Sequence, residues 1–310
     1  MTVRWGVLGA GWIVQTATAQ AIRDAPSATL EGIAARDIGR ARALDPRRAY
    51  GDYAELLADD SIDAVYIALA NDQHLPWITA ALAAGKHVLC EKPLTLSEAQ
   101  TKQAFRAADE AGLLLVEAAW SMWHPRMQRI VELVRGGALG SVEEYLGTFT
   151  FDGVPDGNYR LDPQLGGGAL LDIGIYPLHA LVACLPDLEV VEVHVVRDDG
   201  GLGVDLTTKA RLLLSGDARA SIVASFAMPE SQRLLIRGSG ASLQVSDDQA
   251  FTSWRVESSL EVANTTETFA ATDAYRDMFE AVSARILGRS DWVLSPEAST
   301  RVAAIVDALR

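Results

Sequence analysis

Over the first 120 residues, short and almost unbroken apolar runs alternate with amphipathic stretches. Val3 to Leu8, Leu30 to Ala35, Ile62 to Ala70, Val88 to Cys90 and Leu113 to Glu117 are too short for buried helices, so they are expected as strands covered on both faces. Between them, helical spacing is expected up to about Arg23, from Tyr53 to Asp59, from Leu75 to Ala84 with Gly85 as stop, and from the cap Ser97 to about Ala111. Strands and helices alternating at this rhythm predict an α/β Rossmann domain, a doubly wound parallel sheet, over residues 1–120.

Beyond Trp120 the pattern changes. A helix is expected from Arg126 to Arg135, an alternating strand from Ser141 to Phe151, and a Gly-, Pro- and Asp-rich loop from Gly153 to Gly168. An apolar helix follows from Ala169 to Leu185, which Pro177 should kink. Strand-like runs without intervening helices then extend from Leu188 to Trp254, and two helices close the chain, Ala274 to Leu287 and Pro296 to Leu309 with Ser295 as cap. This predicts an α+β domain with a large, mostly antiparallel open sheet over residues 121–310. One sheet face is left needing cover, which predicts a homodimer or homotetramer formed through it.

Composition narrows the partners. A length of 310 residues suits two cores, and 49% hydrophobic with 22% charged residues is ordinary for a globular protein. A formal charge of -14 opposes phosphate backbones and argues against nucleic acid. No apolar run approaches the roughly 18 residues of a membrane span, and the chain opens directly on a strand, so a cytoplasmic protein is expected. Cys90 and Cys184 stand apart in apolar surroundings as buried thiols, and the five His never pair at ligand spacing, so no metal site is expected.

Two places carry chemistry in the first half. Gly9-Ala10-Gly11-Trp12-Ile13-Val14 joins a strand to a helix, as a dinucleotide turn does. Gly9 supplies the backbone angles and Gly11 the close approach to a pyrophosphate, but Val14 stands where a small residue is usual. At the end of the second strand Arg36 precedes Asp37, with Arg40 and Arg42 beyond. Arg suits a 2'-phosphate and Asp a 2'-hydroxyl, so NADP is favoured over NAD. The second place is Glu91-Lys92-Pro93, which ends a buried strand abruptly, at the sheet edge where cofactor and substrate meet in open α/β folds.

The runs IDAVYIALANDQH, GKHVLCEKPL and GGGALLDIGIYPLH, in this order, resemble the glucose-fructose oxidoreductase/inositol dehydrogenase/MocA family over essentially the whole chain. EAAW with GGGALLDIGIY is similar to its dihydrodiol and xylose dehydrogenases and to ketoreductases acting on nucleotide sugars. The resemblance implies an NAD(P)-dependent oxidoreductase with Lys92 beside the nicotinamide and the reacting hydroxyl. It also implies that Asn71, His74 and Glu91 help seat the cofactor, and that the Lys92–Pro93 bond is cis. Ala70 and Met122 depart from the pattern, where a Pro and an Arg are frequent.

Asp172 and Tyr176, four apart on a largely apolar helix, share a face and are costly to bury without partners. Together with Lys92 they form the expected catalytic set: Tyr176 as general acid/base tuned by Lys92, and Asp172 holding Lys92 charged. Trp120, Trp123, Tyr159 and Arg160 are candidates for the wall of a sugar-like or cyclic diol site, aromatic faces suiting CH-rich rings. Two other classes stay open, a non-catalytic dinucleotide-binding regulator and an NAD-dependent glycosidase.

Overall fold

The computed structural model describes residues 1–245, 248–289 and 292–310. By its internal contacts the chain forms two compact units, Met1–Trp120 with Asp273–Ser299, and Ser121–Thr272 with Thr300–Arg310.

The first unit holds six parallel strands, β1 (Val3–Leu8), β2 (Ala28–Ala34), β3 (Arg48–Tyr50), β4 (Ala64–Ile67), β5 (His87–Glu91) and β6 (Leu115–Ala118), in the order β3-β2-β1-β4-β5-β6. This is the dinucleotide-fold order, with the reversal between β1 and β4. Helices lie between strands in sequence, among them His74–Ala83 and Glu98–Ala111, the latter capped by the Ser97 hydroxyl at 3.3 Å from Gln100 N. Leu8, Val65, Ile67, Val88 and Cys90 form one core cluster with Ile78, Phe105 and their neighbours, which is why these strands read as continuous apolar runs.

A division at residue 120 alone omits a return of the chain. The helix Ala274–Ile286, placed by sequence in residues 121–310, belongs to the first unit. Its Phe279 ring stands edge-on to both Trp5 and Tyr66, at 5.3 Å in each case. Trp5 Nε1 donates to Ser283 Oγ at 2.9 Å, and Ser27 donates to the Glu280 carboxylate through N at 2.6 Å and Oγ at 2.7 Å. No local pattern announces contacts across some 250 residues.

His87 opens β5 and accepts the Leu114 N–H on Nδ1 at 2.9 Å, and burial lowers its pKa. With a folded-state pKa below the unfolded value, the unfolded chain takes the proton first, so stability present at neutral pH is lost as the pH falls below about 6.5. Urea midpoints measured at about pH 7.5 and about pH 5.5 are expected to show this loss reduced, by about 1 kcal/mol, in His87→Leu.

The second unit is built on an eight-stranded sheet of β7 (Val142–Asp152), β8 (Val190–Asp198), β9 (Thr207–Leu214), β10 (Arg219–Ser225), β11 (Ala227–Gly238), β12 (Ser242–Val245), β13 (Ser258–Val262) and β14 (Thr265–Phe269). The order is β14-β13-β12-β11-β7-β10-β9-β8; β7 and β10 run parallel and the remaining pairs antiparallel. The row Leu234, Gly147, Ile222, Ala210 is buried, whereas the next row, with Leu235 and Leu146, is only half-buried.

The stretch Pro163–Cys184 corrects one expectation: by length and composition it could cross a membrane, with a mean hydropathy of 1.4. Since 94% of that window is buried inside the protein, it reads as a core helix. It is a π-helix over Leu170–Gly174 and an α-helix over Ile175–Cys184, so a wide turn comes before Pro177 rather than a simple kink after Tyr176. Cys90 and Cys184 are free and buried, and burial pushes the Cys184 thiol up to about 12.

Candidate functional site

In the first unit the glycine turn follows β1. Gly9 has φ +109, and a Cβ there would stand 2.4 Å from the Ala68 carbonyl oxygen, so no side chain fits. A Cβ on Gly11 would meet nothing within 4 Å, so the chain is open on the side where a pyrophosphate must approach. Trp12 beside it is 72% exposed and Ile13 is half-buried. Two side chains brace the turn: Gln15 Nε2 and Arg40 Nη2 donate to the Ala10 carbonyl at 2.9 and 2.7 Å. Val14 is fully buried, and the helix takes π geometry over Val14–Thr18.

Past the end of β2, Arg36 is exposed. Asp37 caps the helix Ile38–Arg42, accepting the Gly39 N–H at 2.9 Å. The acid is thus engaged locally, while Arg36 and Arg40 make this end of the strand basic. Open room at Gly11, an exposed aromatic and these arginines fit a dinucleotide with a phosphate on its ribose.

The turn carrying Lys92 is pinned from several elements. Tyr66 on β4 donates from its hydroxyl to Glu91 Oε1 at 2.5 Å, and the Lys92 N–H donates to Glu91 Oε2 at 3.2 Å. Burial, then the charge of Glu91, pushes the Tyr66 phenol well above its ordinary pKa, so it stays a donor. Leu94 N–H donates to Glu117 Oε1 at 3.0 Å, from β6. The Lys92–Pro93 bond is cis, as the resemblance implied. Asn71 is 7% exposed. His74 is fully buried, with Nδ1 2.8 Å from the Pro93 carbonyl and Nε2 3.2 Å from that of Leu69. Expected among the residues that help seat the cofactor, it ties together the two loops leaving β4 and β5; burial lowers its pKa against the pull of both carbonyls.

In the second unit, Asp172 is 6% exposed and Tyr176 is 9% exposed. Arg160, assigned from sequence to the substrate wall, donates from Nε to Asp172 Oδ2 at 2.6 Å. Burial opposes the charge on Arg160, but Asp172 and Tyr159 outweigh it and raise its pKa. The triple glycine makes this pairing possible: a Cβ on Gly167 would lie 2.5 Å from the Arg160 carbonyl oxygen, to which Gly168 N–H donates at 2.9 Å. Asp205, which the sequence pattern does not single out, receives the helix start. Its Oδ2 accepts Leu170 N–H at 2.8 Å and Thr208 Oγ1–H at 2.6 Å, and Gly168 at φ +119 leaves it room. Tyr176 packs on Phe149 at 5.4 Å between ring centroids.

The other expected wall residues differ in exposure. Tyr159 is half-buried under the Arg160 guanidinium, 4.9 Å from its carbon to the ring centroid. Trp123 is 4% exposed; Trp120, equally buried, stacks on Tyr275 at 4.4 Å within the first unit. Among the described residues no group of three His, Cys, Asp or Glu is arranged to hold a metal ion.

Residues 3–118 match the oxidoreductase family with an NAD-binding Rossmann fold (GFO/IDH/MocA), and residues 127–244 match the GFO/IDH/MocA C-terminal domain. The chain belongs to the Gfo/Idh/MocA family. As a member it is a nicotinamide-dependent oxidoreductase. It is 35% identical to D-xylose 1-dehydrogenase (NADP(+)) 2 of Haloferax volcanii, over 98% of this chain and 95% of that one. It is 31% identical to trans-1,2-dihydrobenzene-1,2-diol dehydrogenase of Mus musculus, over 79% and 75%. A solved 3-ketoreductase of Actinomadura kijaniata, in complex with NADP and TDP-benzene, superposes with a TM-score of 0.90 at 30% identity, covering 100% of this chain and 97% of that one. Structures of that ketoreductase include forms in which a lysine is changed to Ala or Glu and a tyrosine to Phe.

Proposed function

We propose that this chain transfers hydride between NADP and a CH–OH or C=O carbon of a sugar-like or cyclic diol substrate. The observation that carries this reading is Lys92 at the carboxyl end of β5, held on a turn fixed by Tyr66, Glu91 and Glu117. NADP is favoured because Arg36 is exposed at the end of β2 while Asp37 is engaged as a helix cap. The NADP named for the xylose dehydrogenase and the ketoreductase supports the same choice.

When bound, the nicotinamide supplies or accepts the hydride. Tyr176 gives its phenolic proton to the developing alkoxide in reduction and takes the hydroxyl proton in oxidation. Lys92 donates to the substrate oxygen, and its positive charge favours the phenolate. Asp172 orients the substrate. The lysine and tyrosine varied in the solved ketoreductase are of the types assigned here to Lys92 and Tyr176.

Gly9, Gly11, Trp12, Ile13, Asn71 and Glu91 serve the cofactor, and His74 serves it through the loops it joins. Trp120, Trp123 and Tyr159 are kept as substrate-side residues. Copies associate through the half-buried sheet row with Leu146 and Leu235, as a homodimer or homotetramer, in the cytoplasm and without nucleic acid or membrane.

A panel of aldoses, keto-sugars and diols, run with NADP and with NAD, tests the reading. Turnover with NADP on a sugar or diol is expected. Arg36→Ala is expected to raise the KM for NADP about tenfold or more, the loss of one charge-assisted phosphate contact, with little change for NAD. No turnover on any member would return the chain to the dinucleotide-binding regulators.

A further inference from the structure

We propose that Asp205 is a positioning residue for the helix that carries Asp172 and Tyr176, holding its π turn in place so that these two side chains keep their mutual orientation. This rests on the oxidoreductase reading above and adds to it a residue that acts through Asp172 and Tyr176.

Asp205 lies between β8 and β9 and is buried. It grips the start of the helix twice: its backbone carbonyl accepts Ala169 N–H at 2.8 Å, and its Oδ2 accepts Leu170 N–H at 2.8 Å. Thr208 on β9, also buried, gives its hydroxyl to the same Oδ2 at 2.6 Å and so ties the carboxylate to the sheet. Gly168 completes the seat, because a Cβ there would collide with Oδ1. Burial raises the Asp205 pKa against the pull of Thr208 and Leu170. A serine would cap a helix without burying a charge, so capping alone does not account for a carboxylate here.

The π turn follows at once. Leu170–Gly174 closes its hydrogen bonds one residue later than α geometry does, so the turn holds a residue to spare. One residue of an α-helix is a rotation of about 100°. Relaxation to plain α geometry would swing the segment before the turn by that angle against the segment after it. Asp172 lies inside the turn and Tyr176 just beyond it, so their relative orientation depends on the turn surviving. The far end is fixed by packing: Ile175 to Cys184 are all buried, and a Cβ on Gly174 would stand 3.1 Å from Ala224 Cβ on β10. The near end is free to unwind unless something holds it, and there the Asp205 carboxylate ties Leu170 to β9. Proton transfer at Tyr176 needs such a fixed geometry, since a misplacement of about 1 Å can cost about 100-fold in rate.

The test measures kcat with the best panel substrate, per folded protein, in the parent, Asp205→Ala, Tyr176→Phe and the double variant, with NADP affinity alongside. Asp205→Ala keeps the carbonyl tether to Ala169 and is expected to lower kcat about 10- to 100-fold, with NADP affinity nearly unchanged. Asp205→Asn, which retains an acceptor for Leu170 N–H, should recover most of that loss. In the Tyr176→Phe background, Asp205→Ala should cost less than about threefold more, because the group it positions has already lost its hydroxyl. If Asp205→Ala fails to fold, Thr208→Val releases the carboxylate from β9 and is expected to show the same coupling to Tyr176 with a smaller loss. Parent-like kcat with only a lower urea midpoint would make Asp205 a plain cap and overturn the inference. So would an added loss in Tyr176→Phe as large as the loss in the parent. No turnover on the panel, or an undiminished kcat in Tyr176→Phe, removes the proposed function or its mechanism, and this inference falls with it. Impairment in Tyr176→Phe with none in Asp205→Ala sinks the inference alone.

Discussion

Tyr176→Phe is expected to lower kcat about 10²–10⁴-fold in both directions while leaving NADP affinity nearly unchanged. The substitution removes one hydroxyl and keeps the ring, so packing on Phe149 and the buried position are retained. What is lost is the group proposed to hold or move the substrate proton. Steady-state rates with the best panel substrate give kcat, and fluorescence titration gives cofactor affinity. Loss of both together would point to a damaged fold, and an undiminished kcat would take Tyr176 out of the mechanism.

Trp5→Ala should destabilise the first unit by about 3–5 kcal/mol, the range for deleting a fully buried large aromatic. Trp5 is 0% exposed, meets Phe279 edge-on and gives its indole N–H to Ser283. The variant leaves a cavity and a serine hydroxyl without its donor. Trp5→Phe should cost less, because part of the ring volume remains. Urea unfolding followed by loss of NADP binding reads the first unit specifically; a midpoint shift below about 1 kcal/mol would mean that the site collapses without penalty.

Where residues speak to near neighbours, the chain was readable. β1, β4 and β5 are apolar because both faces are covered, and Ser97 and Ser295 cap the helices expected of them. β3 escaped notice because Arg-Ala-Tyr is too short to show a period. The β13–β14 hairpin turns on Ala263 and Asn264, both at positive φ (47° and 68°), and an Ala in that place lacks the usual Asn-Gly signal. At the candidate site, the glycine turn at Gly9 was legible from its strand-to-helix context, whereas Lys92, Asp172 and Tyr176 were raised as candidates by the family resemblance and not by spacing alone. The Arg160–Asp172 pair was legible from neither, since it depends on how Gly166 to Gly168 fold the loop back on the helix. Asp205 and Tyr66 act through long-range hydrogen bonds that leave no local trace.

The return of Ala274–Ile286 has a bearing on synthesis at the ribosome. When Trp120 leaves the exit tunnel, the indole of Trp5 still lacks its lid, and roughly 170 further residues must be added before Arg289 follows. At typical elongation rates that is a wait of roughly ten to thirty seconds. During it the nascent nucleotide-binding half is an unfinished client for chaperones, and it closes only after the second half has been made.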